Sequence, residues 1–175
     1  MTKEIYMFGL TFRMKQHSAV SALQMMKDER RDPLKCLAHT ELRLIDKWVP
    51  LDTPDAINTF VREVTGHVAA HRVLRLLVAE AEWFSIGFLR EWKGVTFPDH
   101  LTTDLSERQK QRSSTPHTDP AIAMLIVNNL ASKEQLENYY SLQDAMEMCD
   151  VKAAAMLREA FVSEAARKEA KSKQR

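Results

Sequence analysis

Between Pro98 and Pro120 the chain loses its apolar pattern, and that gap limits what it can fold into more than any other feature. Residues 102–119 (TTDLSERQKQRSSTPHTD) hold one large aliphatic side chain, Leu105. Such a segment has too little apolar surface to offset the entropy of ordering it, so it reads as a tether. The expected organisation is a helical body with small hairpins over 1–98, a polar linker over 99–118 and a C-terminal helical segment over 119–175. A body, tether and hook of this kind suits the handling of other chains better than catalysis.

At 175 residues there is material for one good core and an appendage, and too little for two full domains. The 25 basic and 24 acidic residues nearly cancel. Global attraction to nucleic acid or to an anionic membrane is therefore absent, and the partners expected are proteins. The stretch from Ala153 to Arg175 is locally basic, which reads as a solvated helix end complementing the helix dipole rather than as a nucleic-acid tail. Cys36 and Cys149 are far apart on either side of the linker, as expected of free thiols in a reducing compartment. The N-terminus has no apolar run of signal-peptide length, and no window reaches the length of a membrane span. The expected location is the cytoplasm, without membrane attachment.

Local patterns place the elements. Residues 3–14 (KEIYMFGLTFRM) put Gly9 between two runs of aromatic and branched side chains, which predicts a β-hairpin at Glu4–Arg13. Ser18 is an N-cap for a helix of about three turns, with Val20, Leu23 and Met25 or Met26 as its apolar stripe and Pro33 beyond its end. Residues 40–51 (TELRLIDKWVPL) alternate on both sides of Asp46-Lys47 and predict a second hairpin, with Pro50 at an edge or strand end. Thr53-Pro54-Asp55 opens a helix that runs to Thr65 and stops at Gly66. From about Val68 to Trp92, Val73, Leu76, Leu77, Trp83, Phe84, Phe88 and Trp92 recur at helical spacing, and Gly94 ends the element.

Beyond the linker, Asp119-Pro120 starts a short apolar helix and Ser132-Lys133-Glu134-Gln135 opens another. Ser141-Leu142-Gln143-Asp144 begins a long last helix. Its positions Leu142, Ala145, Met146, Cys149, Ala153, Met156 and Leu157, then Ala160 and Phe161, form a stripe at 3,4 spacing that fades into charge. The C-terminal segment offers little to cover this stripe. Tyr139, Tyr140, Leu142, Met146, Cys149, Ala153, Met156 and Leu157 are therefore the candidate protein-binding residues, although Met146 reads equally well as core.

Catalytic constellations are sparse. Glu63, His67 and His71 share a helix face by spacing, but Gly66 interrupts the helix and spacing fixes no third ligand, so two ordinary histidines are the better reading and no metal is expected. His17, His39, His100 and His117 are scattered. With four glycines there is no phosphate loop and no G-x-S-x-G elbow. Neither catalytic residues nor a cofactor are expected. Trp48, Trp83, Trp92, Phe84 and Phe88 read as core rather than as a base-stacking surface, because of their helical spacing.

The segments GLTFRMKQHSAVSALQMM, DPLKCLAHTELRLIDKWVPLD, INTFVREV and FSIGFLREWKG resemble the N-terminal part of tail assembly chaperones of tailed bacteriophages. DPAIAMLIVNNLASKEQLENYYSLQDAMEMCDV resembles the C-terminal segment that follows in the same family. The resemblance covers most of the chain outside the linker. It implies a hairpin with an aromatic–Arg pair, a helix, a second hairpin and a helical body. It also implies that the N-terminal module coats the tape-measure protein while the extension, often added by a programmed frameshift, recruits tail-tube subunits. The present chain departs in carrying both parts with no visible junction. The family transfers no catalytic residue.

The expected fold is mainly α (α+β). The expected role is a phage tail assembly chaperone, possible as a homo-oligomer. The competing readings are a structural virion adaptor or connector and a nucleic-acid-binding phage regulator.

Overall fold

A computed structural model describes residues 1–65, 70–99 and 118–173. It is an α+β protein: mostly helical, with one small antiparallel sheet. No helix among the described residues is long and apolar enough to cross a membrane.

The sheet is a four-stranded meander in the order β1 (Thr2–Met7), β2 (Leu10–Lys15), β3 (Thr40–Leu44) and β4 (Lys47–Pro50). The first hairpin turns at Phe8-Gly9, where both residues take positive φ, 54° and 81°. Glycine adopts that conformation without penalty. The second hairpin turns at Ile45-Asp46, one residue before the expected Asp46-Lys47, with Ile45 at φ 56°. Pro50 ends the edge strand β4, where its missing N–H leaves no ladder gap. The two hairpins are joined into one sheet by pairing of Phe12 with Leu42 and of Met14 with Thr40. This long-range register has no local signal.

The helices are α1 (Ala19–Lys27), α2 (Pro33–Leu37), α3 (Pro54–Thr65) and α4 (Ala70–Ile86), the last followed by a 3-10 turn at Gly87–Arg90. After these come α5 (Pro120–Val127), α6 (Lys133–Asn138) and α7 (Leu142–Lys173). Caps start them where the sequence predicts. Ser18 Oγ accepts from the Ser21 N–H at 3.3 Å, Thr53 Oγ1 from Ala56 at 3.2 Å and Asp119 Oδ1 from Ala121 at 3.1 Å. At α7 the cap is reciprocal. The Asp144 N–H donates to Ser141 Oγ at 3.2 Å, and the Ser141 N–H donates to Asp144 Oδ2 at 2.9 Å.

Three sequence expectations need correction. The short helix α2 was not foreseen, although Asp32 caps it through the Leu34 N–H at 3.1 Å and Pro33 opens it. In α1 the buried side chains are Ala19, Ala22 and Met25, one position off the expected stripe; Val20 and Leu23 are half-buried and Met26 is 50% exposed. The aromatic helix ends at Ile86 instead of continuing to Trp92, and Leu76 and Trp83 lie on its open side. The expected stop at Gly66 and the start near Val68 lie outside the described residues.

Two compact units emerge, one of Met1–Glu91 with Glu134–Asp144 and one of Trp92–Lys133 with Ala145–Arg175. Within the first unit the Ala19 N–H donates to the Tyr140 carbonyl at 2.8 Å, Ser18 and Ser141 form an isolated β-bridge, and Leu136 is fully buried. Residues 134–144 are thus held by backbone hydrogen bonds to the start of α1. Of the expected linker over 99–118, residues 100–117 lie outside the described residues.

The core of the first unit is continuous from the inner sheet face to α3 and α4. Phe12, Leu42, Phe60, Val73 and Leu77 are each no more than 2% exposed. Phe12 and Phe60 meet edge-to-face with ring centroids 5.6 Å apart, the geometry the aromatic quadrupole favours.

Candidate protein-binding surfaces

The long helix α7 carries most of the residues expected to bind protein. Leu142 is 2% exposed and belongs to the core, which removes it from any available surface. Tyr140 is half-buried and its carbonyl is taken by Ala19, whereas Tyr139 is 74% exposed. Met146, Cys149, Ala153, Met156 and Leu157 line up along α7 as half-buried side chains. On the opposite side of the helix runs a second stripe, which the 3,4 reading missed. Val151, Ala155 and Val162 stand four and then seven residues apart on one exposed face. Val151 and Val162 are both 71% exposed and Phe161 is 45% exposed. The signal lay in the sequence as apolar residues on the side of the helix away from the Met146–Leu157 line.

The surroundings of Cys149 favour its protonated form. Burial, followed by the carboxylates of Asp150 and Asp119, pushes its pKa up. Asp150 has a structural task as well, since its Oδ1 accepts from the Val95 N–H at 3.4 Å.

In the first unit the outer sheet face is the second candidate. Alternation puts Tyr6, Arg13, Glu41 and Trp48 on the face opposite Phe12 and Met14. Arg13 is opposite Glu4 on one side and Glu41 on the other. Its Nε donates to Glu41 Oε2 at 2.6 Å, and its guanidinium lies 4.4 Å from the Trp48 ring centre. These contacts hold the arginine over the indole. Because β2 and β3 are antiparallel, the turns at Phe8-Gly9 and Ile45-Asp46 share one end of the sheet. There Tyr6 is 77%, Phe8 41% and Ile45 92% exposed. A branched residue in a left-handed turn conformation is costly, by about 1–3 kcal/mol, so Ile45 contributes neither core packing nor easy turn geometry. Sequence reasoning treated both turns only as turns, and the missed signal was large apolar residues where polar ones would serve.

Buried polar chemistry in the first unit is structural. His17 donates through Nε2–H to the Cys36 carbonyl at 2.9 Å, and its own N–H donates to Ser85 Oγ at 3.3 Å. Burial depresses its pKa, the carbonyl bond works against that shift, and His39, with its ring centre 4.9 Å away, adds to the depression. The Cys36 thiol is pushed up to about 11, first by burial and then by Glu82, Asp32 and Asp28, so it stays protonated at neutral pH and is a poor nucleophile. No group of three His, Cys, Asp or Glu side chains is placed to hold a metal among the described residues. His67 lies outside those residues and Glu63 has no described side chain, so the expected histidine pair is represented only by His71, which is exposed on α4.

Comparison of the chain with family models, curated proteins and solved structures gave no match.

Proposed function

We propose that this protein is an assembly factor of phage tails: a chaperone that binds the tape-measure protein and recruits tail-tube subunits in the host cytoplasm, without catalysis or cofactor. The observation that carries the reading is the placement of large apolar side chains on open surfaces in both units. Tyr6, Phe8 and Ile45 stand at the sheet end of one, and Val151, Phe161 and Val162 on the long helix of the other. Exposed aromatic and branched side chains gathered at one place on a surface are a usual mark of a protein-binding site. Two such sets, one in each unit, suit a protein that holds one client and gathers the next. The sequence segments that resemble tail assembly chaperones fall on the hairpins, on α1 to α4 and on α5 to α7, the same elements that carry the exposed residues.

The test is recovery of a tagged chain from phage-infected cells, with the bound proteins identified by mass spectrometry. Tape-measure and tail-tube proteins should co-purify, and the chain should be missing from finished particles. Stoichiometric presence in finished particles would favour a structural adaptor instead.

A further inference from the structure

A cleft of about 680 Å³ opens in the first unit between the α1–α2 loop and α4. Its rim holds Arg30, Arg31, His71, Arg72 and Arg75, its floor is apolar, with Pro33, Leu74 and Val78, and no carboxylate of the described residues lines it. Glu29, next to Arg30, is exposed and does not line the cleft, and three other nearby acids are engaged. Glu82 pairs with Arg31 Nε at 3.5 Å, Asp28 with Lys35 at 3.3 Å, and Asp32 caps α2. Arg72 and Arg75 have no ion pair among the described residues, Arg30 acts on the Asp28 carboxylate only at longer range, and the first turn of α4 contains no acidic side chain to offset Arg72. The loop is itself ordered around this arrangement: the Arg30 N–H donates to Asp28 Oδ1 at 3.1 Å and the Arg31 N–H to the Asp28 carbonyl at 3.3 Å, with Arg31 at φ 48°.

We propose that this cleft binds an acidic amphipathic segment of a partner protein, apolar side chains on its floor and carboxylates on its arginine rim. Guanidinium groups suit carboxylates because their planar fork can donate two parallel hydrogen bonds. A phosphate backbone would also satisfy the rim, but it would leave Leu74 and Val78 with nothing apolar to cover. Among the described residues the lining also offers no Trp, Tyr or Phe on which a base could stack. The combination of a greasy floor and a cationic rim therefore selects a peptide over a nucleic acid. The inference goes beyond the reading above and stands on the cleft alone, whether or not the chain works in tail assembly.

The experiment is fluorescence anisotropy on the full chain with three labelled probes: a helical peptide with leucines on one face and glutamates on its flanks, a polyglutamate of equal length, and a single-stranded DNA. The leucine–glutamate peptide should bind saturably, more tightly than either other probe, and more weakly as salt is raised. Arg72→Glu combined with Arg75→Glu should weaken it by roughly tenfold or more, with an unchanged melting temperature because both side chains are exposed. Arg72→Lys with Arg75→Lys should retain part of the affinity. Failure of the wild type to bind the peptide, or equal binding by the charge-reversed variant, would overturn the proposal. Equal affinity for polyglutamate would remove the role of the apolar floor, and tighter binding of DNA would show that the partner class is wrong. Each result is read on purified protein, so it is independent of whether tail proteins co-purify.

Discussion

The first unit and the long helix of the second are built on different principles. In the first, four strands and the helices around them bury Phe12, Leu37, Val73, Leu77 and Leu136 to complete exclusion from solvent. Their partners come from segments far apart in sequence, because a sheet pairs what the turns bring together. In α7 the backbone hydrogen bonds are all local. From Met146 to Ala160 the inner stripe of this helix is only half-buried, and past Phe161 nearly every residue is exposed. The difference teaches where each region gets its stability: the first from exclusion of water around a shared core, the second from helix formation and whatever comes to rest on it.

The largest effect should separate the two regions outright. Phe12→Ala removes a fully buried ring that meets Phe60 and should cost about 3–5 kcal/mol in chemical denaturation. Met156→Ala, on the half-covered stripe of α7, should cost no more than about 1 kcal/mol. Similar losses at both positions would erase the contrast.

The next test uses pH. The folded-state pKa of His17 is depressed, so as pH falls below the ordinary histidine value the unfolded chain takes up a proton that the folded chain refuses. Stability should be level above about pH 6.5 and decline below it, with a slope of at most about 1.4 kcal/mol per pH unit from this imidazole. Burial is the main cause, and His39 beside it also opposes protonation of His17, while burial and Lys15 depress His39 itself. Urea midpoints measured between mildly acidic and neutral pH check the sign, and a His17→Asn variant should reduce the slope, leaving the part that His39 contributes.

A smaller loss is expected at the start of α7. Ser141→Ala removes the hydroxyl that accepts from Asp144 and should lower stability by about 1 kcal/mol. If the melting temperature did not move, the cap would be worth less than its geometry indicates. The smallest effect on stability should come from Val151→Asp with Val162→Asp, within about 0.5 kcal/mol because both residues are already in water. The same pair should abolish client capture if the open face of α7 is a binding surface. Capture unchanged by two new charges would move the binding surface to the sheet end.

What the sequence revealed follows the range of the forces involved. Caps are local, so Ser18, Thr53, Asp119 and Ser141 could be read directly, and Gly9 gave away the first turn. Asp32-Pro33 carried the same signal as Asp119-Pro120, yet it was read only as a stop for α1 because the helix it opens is a single turn. The α1 stripe was misjudged by one position because small Ala19 and Ala22 face the core, and size alone made Val20 and Leu23 look like better candidates. The joining of two hairpins through Phe12 and Leu42 depends on pairing across the intervening helices, and the docking of 134–144 on α1 depends on a hydrogen bond between Ala19 and Tyr140. Neither leaves a trace in residue spacing. For the candidate surfaces, the Met146–Leu157 line was visible, whereas the basic cleft was not, since Arg30 and Arg75 are brought together only by folding.

The bond from Ala19 to Tyr140 also sets an order of events during synthesis. The hairpins and α1 leave the ribosome first, but the residues that complete their unit come only after the 42 residues of Trp92–Lys133 have been added. At translation rates of about 5–20 residues per second this is a delay of roughly 2–8 s, during which Leu136 and Leu142 are not yet in place and the surface they will cover stays open. The nascent chain is thus most prone to wrong associations while residues 92–133 are being made, and a slow codon in that stretch would lengthen the exposure.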